Sequence, residues 1–188
     1  MASGENYLLQ WTKSAAGEGF SKERGNFSAL CPRQPLLCLA PLLNPDHFVA
    51  GTSSGELYLF LHRNAIKSIR AHVGAVSALH ATEHAVISGG EKDRRIRLWT
   101  HRLEPGASFD MTMGFGDSSG LRSLCLSGDG ITILIGTCGA DIYEVLFVAV
   151  MLKAALKVMM VMMSTRYLQW MDRIFGVDRW PAVIRQGR

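Results

Sequence analysis

The sequence predicts an all-β protein assembled from small repeated sheets. First, apolar runs of four to six residues, rich in Val, Ile, Leu and aromatic side chains, alternate with glycines and charged turns. Runs that short carry strand signals, because a helix needs a longer 3.6-residue periodicity. Second, a glycine closes the second run of three successive units: Gly51, Gly89 and Gly136, with separations of 38 and 47 residues. A four-strand unit recurring at about 40 to 45 residues is the pattern of a β-propeller blade. The expected architecture is therefore a partial β-propeller of about three four-stranded blades, with a helical C-terminal appendage.

Residues 1–35 are polar and rich in Gly and Ser, apart from YLLQW at 7–11, which reads as one orphan blade strand. A lone strand is not stable in water, so it requires partners. Residues 36–145 hold the blades. The first unit runs through 36–39, 47–50 into the turn at 51–55, 56–61 and 65–69. The central unit follows a loop at Ala71 and His72, with runs at 76–79, 84–88 into Gly89 and Gly90, and 95–99. The third has runs at 121–126, 131–135 into Gly136 and Thr137, and 141–145, and lacks an outer strand. Each blade must cover both faces with its neighbours, and closing a ring removes exposed sheet edges.

Composition narrows the function classes. With 48% apolar and 19% charged residues the chain is expected to pack rather than stay disordered. Residues 1–144 carry 13 Lys+Arg against 14 Asp+Glu, whereas 145–188 carry 7 against 2, so the formal charge of +4 comes from the tail. The body gives no charge-based case for nucleic-acid binding. Cys31, Cys38, Cys125 and Cys138 form no C-x-x-C pair, and no signal peptide is recognisable, which points to a reduced, cytoplasmic setting. Cys38 and Cys125 fall in apolar runs and are expected to pack as small hydrophobes.

No catalytic, cofactor-binding or metal constellation is expected. Residues 51–55 match G-x-S-x-G, but a nucleophile elbow needs a helix after the turn, and a strand follows here. His80 and His84 would share a helix face, yet they straddle two strands with no further ligands. Gly114, Phe115 and Gly116 lack the spacing of a dinucleotide fingerprint.

Residues 49–58 (VAGTSSGELY), 70–76 (RAHVGAV), 86–90 with 97–99, and 121–124 with 135–137 and 141–145 together resemble the WD-repeat proteins, and more closely the echinoderm microtubule-associated protein-like family. The match covers residues 7–145. The family's Gly-His is Ala71-His72 here, its Trp-Asp is Trp99-Thr100, and the turn between Ser88 and Trp99 is one residue longer. The resemblance implies a structural tetrad of His72, Ser88, Asp93 and Trp99, in which hydrogen bonds relayed to the indole fix the blade's register. It also implies a non-catalytic interaction platform whose partners are tubulin or microtubules and other proteins, cytoskeleton-associated in location. A general WD-repeat scaffold without tubulin binding is the alternative. Lys92, Arg94, Arg95 and Arg97 lie close together, either as a solvated surface or as a contact for an acidic partner such as a tubulin tail.

Residues 146–188 form a hydrophobic, basic tail outside the family pattern. Of residues 145–163, 17 of 19 are apolar, interrupted by Lys153 and Lys157. A span of that length could cross a membrane, but two mid-span lysines would each cost about 2.5 to 3.5 kcal/mol. Good helix formers predict a helix over 149–175. Three readings stay open: a helix on the open propeller face, a membrane tether through residues 145–163, or a segment foreign to the fold.

Overall fold

The computed structural model describes residues 7–13, 19–111 and 120–146, together with the backbone of residues 2 and 3. Within these residues the chain is all-β, with fourteen strands and no helix. Four antiparallel sheets follow one another along the sequence. The first holds β1 (Ala2–Ser3), β2 (Leu8–Lys13) and β3 (Phe20–Arg24). The second, in the order β4 (Leu36–Pro41), β5 (His47–Thr52), β6 (Glu56–Leu61) and β7 (Asn64–Arg70), is a four-stranded meander. The third repeats it with β8 (Val76–Ala81), β9 (Val86–Gly90), β10 (Arg95–Trp99) and β11 (Pro105–Asp110), and the fourth has three strands among the described residues, β12 (Leu121–Leu126), β13 (Thr132–Thr137) and β14 (Ile142–Leu146). These sheets are consistent with the blades of a partial propeller. The helix expected over 149–175 lies outside the described residues.

The sheets stack face to face, and this explains the sequence pattern. Successive side chains on a strand point to opposite faces, so a strand covered on both sides reads as a continuous apolar run. On β6, Leu57 and Leu59 join Val49, Val76, Val86 and Trp99 between the second and third sheets, whereas Tyr58 and Phe60 join Leu8, Cys31, Phe48 and Ala50 against the first. On β9 and β10, Ile87 and Ile96 turn the other way and meet Leu121, Leu124, Ile133 and Ile135 of the fourth sheet. The first strands β4, β8 and β12 lie side by side and carry the stack. Across that seam the Cys38 thiol donates to Val76 O at 3.3 Å, and Ser77 Oγ donates to Leu121 O at 2.6 Å.

The repeat glycines lie inside the second strands rather than after them. Gly51 pairs with Leu57 and Gly89 with Ile96. A Cβ on Gly51 would sit 2.8 Å from Val76 Cγ1, and one on Gly89 3.0 Å from Leu121 Cδ2, so the next sheet's first strand occupies the missing side chain's space. Opposite each glycine the first strand shifts register, between Leu36 and Cys38, Val76 and Ala78, and Leu121 and Ser123. Such a bulge bends the strand and increases its twist. The same defect thus recurs in all three sheets that carry the repeat glycine.

Several expectations need correction. The run at 7–11 enters one strand, β2, but that strand is no orphan: it pairs with both β1 and β3. β3, Phe20–Arg24, escaped notice because every residue in it is exposed and three are charged. β11 begins with Pro105-Gly106, a composition that fits an edge strand but signals none. The central unit's second strand starts at Val86, since Thr82 Oγ1 accepts from His84 N and Ala85 N and makes residues 82–85 a turn. Cys125 is exposed instead of packed, because it lies on the face of the fourth sheet turned away from the stack, while Cys31 is fully buried.

Candidate functional site

The polar residues singled out in the central unit meet at one end of the third sheet. The loop after β7 is fixed first: Ala71 N and His72 N both donate to Gly55 O at 2.9 Å. Gly55 has φ +96°, a left-handed conformation open to glycine at no steric cost, and a Cβ there would strike His72 O. The second glycine of the G-x-S-x-G match therefore serves as a seat for the His72 loop. Its middle serine, Ser53, lies in a hairpin turn between β5 and β6.

From that seat a hydrogen-bond chain crosses the sheet. Trp99 Nε1–H donates to Ser88 Oγ at 2.8 Å, Ser88 Oγ–H donates to His72 Nε2 at 2.7 Å, and His72 Nδ1–H donates to the Asp93 carboxylate at 3.0 Å. Asp93 accepts in addition from Val73 N at 3.2 Å and Arg95 N at 3.3 Å, which ties the His72 loop to the β9–β10 turn. The assignment of donors follows from the neutral imidazole, which offers one donor and one acceptor. Burial pushes the His72 pKa down; Asp93 opposes this and Arg97 adds to it. The close His72–Asp93 approach is thus a hydrogen bond between a neutral ring and a carboxylate, rather than an ion pair.

Gly90, which sequence reasoning missed as part of this site, leaves the room. A Cβ on it would fall 2.0 Å from Asp93 Oδ1 and 2.5 Å from His72 Nδ1. Arg94 has φ +51°, as Gly55 and Ala140 have φ +96° and +66° at the matching places in the turns of the second and fourth sheets.

Ser, His and Asp in that order resemble the hydrogen-bond chain of a hydrolytic triad, but the chemistry does not follow. Ser88 is fully buried, and its oxygen already accepts from the indole, so no carbonyl carbon can approach it. The chain satisfies buried polar groups against one another. Register places Ala50 and Phe60 in the second sheet, and Ile135 and Val145 in the fourth, where Ser88 and Trp99 stand in the third. There hydrocarbon fills the space; Phe60 stacks on Phe48 with ring centroids 4.6 Å apart.

The four basic residues divide into two pairs. Arg95 Nη2 lies 3.2 Å from Asp110 Oδ2 across to β11, and Arg97 Nη2 4.0 Å from Asp93 Oδ2. Lys92 and Arg94 sit in the turn itself without a carboxylate partner among the described residues, the Lys92 stem lying over Gly74. His80 lies in β8 and His84 in the turn before β9, and no metal-holding group of His, Cys, Asp and Glu occurs among the described residues. No described helix is long and apolar enough to cross a membrane.

A second polar cluster, also unforeseen, lies against the second sheet. The buried Tyr58 hydroxyl donates to Pro32 O at 3.0 Å and lies 3.0 Å from Glu56 Oε2, while Gln34 Nε2 donates to Glu56 Oε2 at 2.6 Å. Burial raises the Tyr58 pKa to about 12, with Gln34 opposing and Glu56 reinforcing the shift. The phenol is therefore locked as a donor, and the cluster pins residues 32–34 to the sheet.

No family model matches the chain. Among curated proteins it is 27% identical over 151 residues to echinoderm microtubule-associated protein-like 4 of Xenopus laevis, an alignment covering 71% of this chain and 16% of the relative. It is 30% identical over 138 residues to echinoderm microtubule-associated protein-like 2 of Rattus norvegicus, covering 71% and 20%, and 30% identical over 145 residues to the Homo sapiens protein of the same name, covering 75% and 21%. The chain thus spans about a fifth or less of the length of these relatives. With its repeated antiparallel sheets, it bears the resemblance of a divergent, partial counterpart to the echinoderm microtubule-associated protein-like WD-repeat proteins.

Proposed function

We propose that the chain is a non-catalytic protein-interaction platform that binds microtubules through the acidic surface of tubulin. The observation that carries this reading is the β9–β10 turn: it holds Lys92 and Arg94 outside any described ion pair, directly over the His72–Asp93–Ser88–Trp99 chain. A cation on a rigid turn loses less conformational freedom on binding than one on a loose loop. In this reading the four-residue chain is structural. It locks the register of β9 against β10 and aims the turn, while Arg95 and Arg97 serve the blade more than the partner. The relatives' names supply the partner class.

Co-sedimentation of the full chain with microtubules across a salt series tests this. Binding is expected at low salt and should weaken as salt rises, since exposed charges are screened beyond about 10 Å at 0.1 M. Lys92→Glu combined with Arg94→Glu should abolish pelleting, while Arg95→Gln should leave most of it. No pelleting by the wild-type chain at low salt would favour a general scaffold without tubulin affinity.

A further inference from the structure

We propose that residues 147–163 of this same chain cover the open face of the fourth sheet. Register puts Ser123, Cys125, Thr132, Leu134, Ile142, Glu144 and Leu146 on one side of β12–β14, and the stack-facing side holds Leu124, Ile133, Ile135 and Tyr143. Ile133 and Ile135 are fully buried, whereas Leu134, Ile142 and Leu146 are 40%, 69% and 52% exposed. No described residue covers them. A blade face with three large aliphatic side chains is a surface that soluble proteins cover.

Three observations select the occupant. Leu146, the last described residue of β14, lies on this very face, so residue 147 starts within reach and the tethered segment meets the face at a high local concentration. Of residues 147–163, fifteen of seventeen are apolar. The two exceptions, Lys153 and Lys157, match the one carboxylate of the face, Glu144. Ser123 also pairs with Gly136 as Cys38 pairs with Gly51, and Cys38 is the residue that donates across the seam to the neighbouring strand. Its hydroxyl therefore offers a donor to backbone laid over the face.

The thiols provide the readout. Cys125 lies on the face and Cys138 in the β13–β14 turn beside it, and both are exposed among the described residues. In the full chain, maleimide labelling resolved by mass should proceed roughly tenfold more slowly at Cys125 than at Cys138, as for a site reached only by local opening. Leu152→Glu with Leu156→Glu should bring the two rates together. The buried Cys31 and the seam thiol Cys38 should stay protected and so report that the fold survives. If that variant unfolds, Lys153→Glu with Lys157→Glu, which places like charge against Glu144, should raise the Cys125 rate in its place. Equal rates in the wild-type chain overturn the proposal. So does protection that persists in a folded variant, protection that fades on dilution, which marks a second copy as the occupant, or free Cys125 in a chain that floats with phosphatidylcholine vesicles.

Discussion

Ser88 is the residue on which most depends, because its one hydroxyl links the two buried rings of the polar chain, accepting from the Trp99 indole and donating to the His72 imidazole. Ser88→Ala strands His72 Nε2 and Trp99 Nε1–H in a sealed interior, and each orphaned group costs about 1–3 kcal/mol. Denaturant unfolding should show a fall in midpoint well beyond that of Ser77→Ala, which removes one seam bond from a half-buried site; equal losses would contradict this order. His72 makes the same chain sensitive to acid. Its pKa is lowered in the fold, so the unfolded chain binds the proton more readily, and stability rises with pH through the window below about 6.5. Above that window the contribution is complete; as pH falls it is lost. The melting temperature should therefore drop between pH 7.5 and 5.5, and His72→Gln, less stable throughout, should flatten that slope. An unchanged slope would mean that other groups set it. The identities of these four residues were legible in the sequence through the family resemblance. Gly55 and Gly90 were not, because nothing in a sequence shows which backbone carbonyl or imidazole will occupy a missing Cβ position.

The repeat shows most clearly in how one strand meets the next. The spacing of Gly51, Gly89 and Gly136 was readable, but its cause was not: the glycines looked like strand ends and are places where a neighbour presses in. The pressure differs among the three, which gives a graded prediction. At Gly51 a Cβ would meet Cys38 Sγ at 2.5 Å and Val76 at 2.8 and 2.9 Å, contacts from two strands at once. At Gly89 the closest atoms are Leu121 Cδ2 and Leu124 Cδ2 at 3.0 and 3.1 Å, the ends of mobile side chains. At Gly136 a clash arises only with Ser123 Oγ, which can rotate toward the open face. Substitution by Ala should thus destabilise in the order Gly51, Gly89, Gly136, with overpacking at the first costing about 1–3 kcal/mol. Urea unfolding of the three variants checks the order, and a reversal would refute the pressing-strand account. Strands with two covered faces, such as β5, β6 and β9, stood out as apolar runs. β3 and β11 did not, since a strand at the rim of a sheet is held by its ladder and needs no hydrophobic side chains.

Among the described residues, the sheets form a row in which each apolar layer is shared by two neighbours and no layer spans three. Such a molecule approximates a one-dimensional array, whose stability is a sum of sheet terms and interface terms. The second and third sheets have neighbours on both sides. The first and fourth each have one described neighbour, through Leu8 at one end and through Leu121, Leu124, Ile133 and Ile135 at the other. Opening should therefore begin at the ends of the row, and the first sheet should lead: β3 is wholly exposed, and β2 buries Leu8 alone. Native-state hydrogen exchange should find the amides of β5, β6, β9 and β10 exchanging only with global unfolding, and those of β2 and β3 through a smaller opening. The fourth sheet distinguishes two outcomes. If its open face is covered, Leu134 in the middle strand should exchange as slowly as Ile87; if it is bare, Leu134 should open with the ends. Uniform protection from β2 to β14 would show that the four sheets unfold as one cooperative body, and the row of separable layers would be the wrong description of how this fold is held.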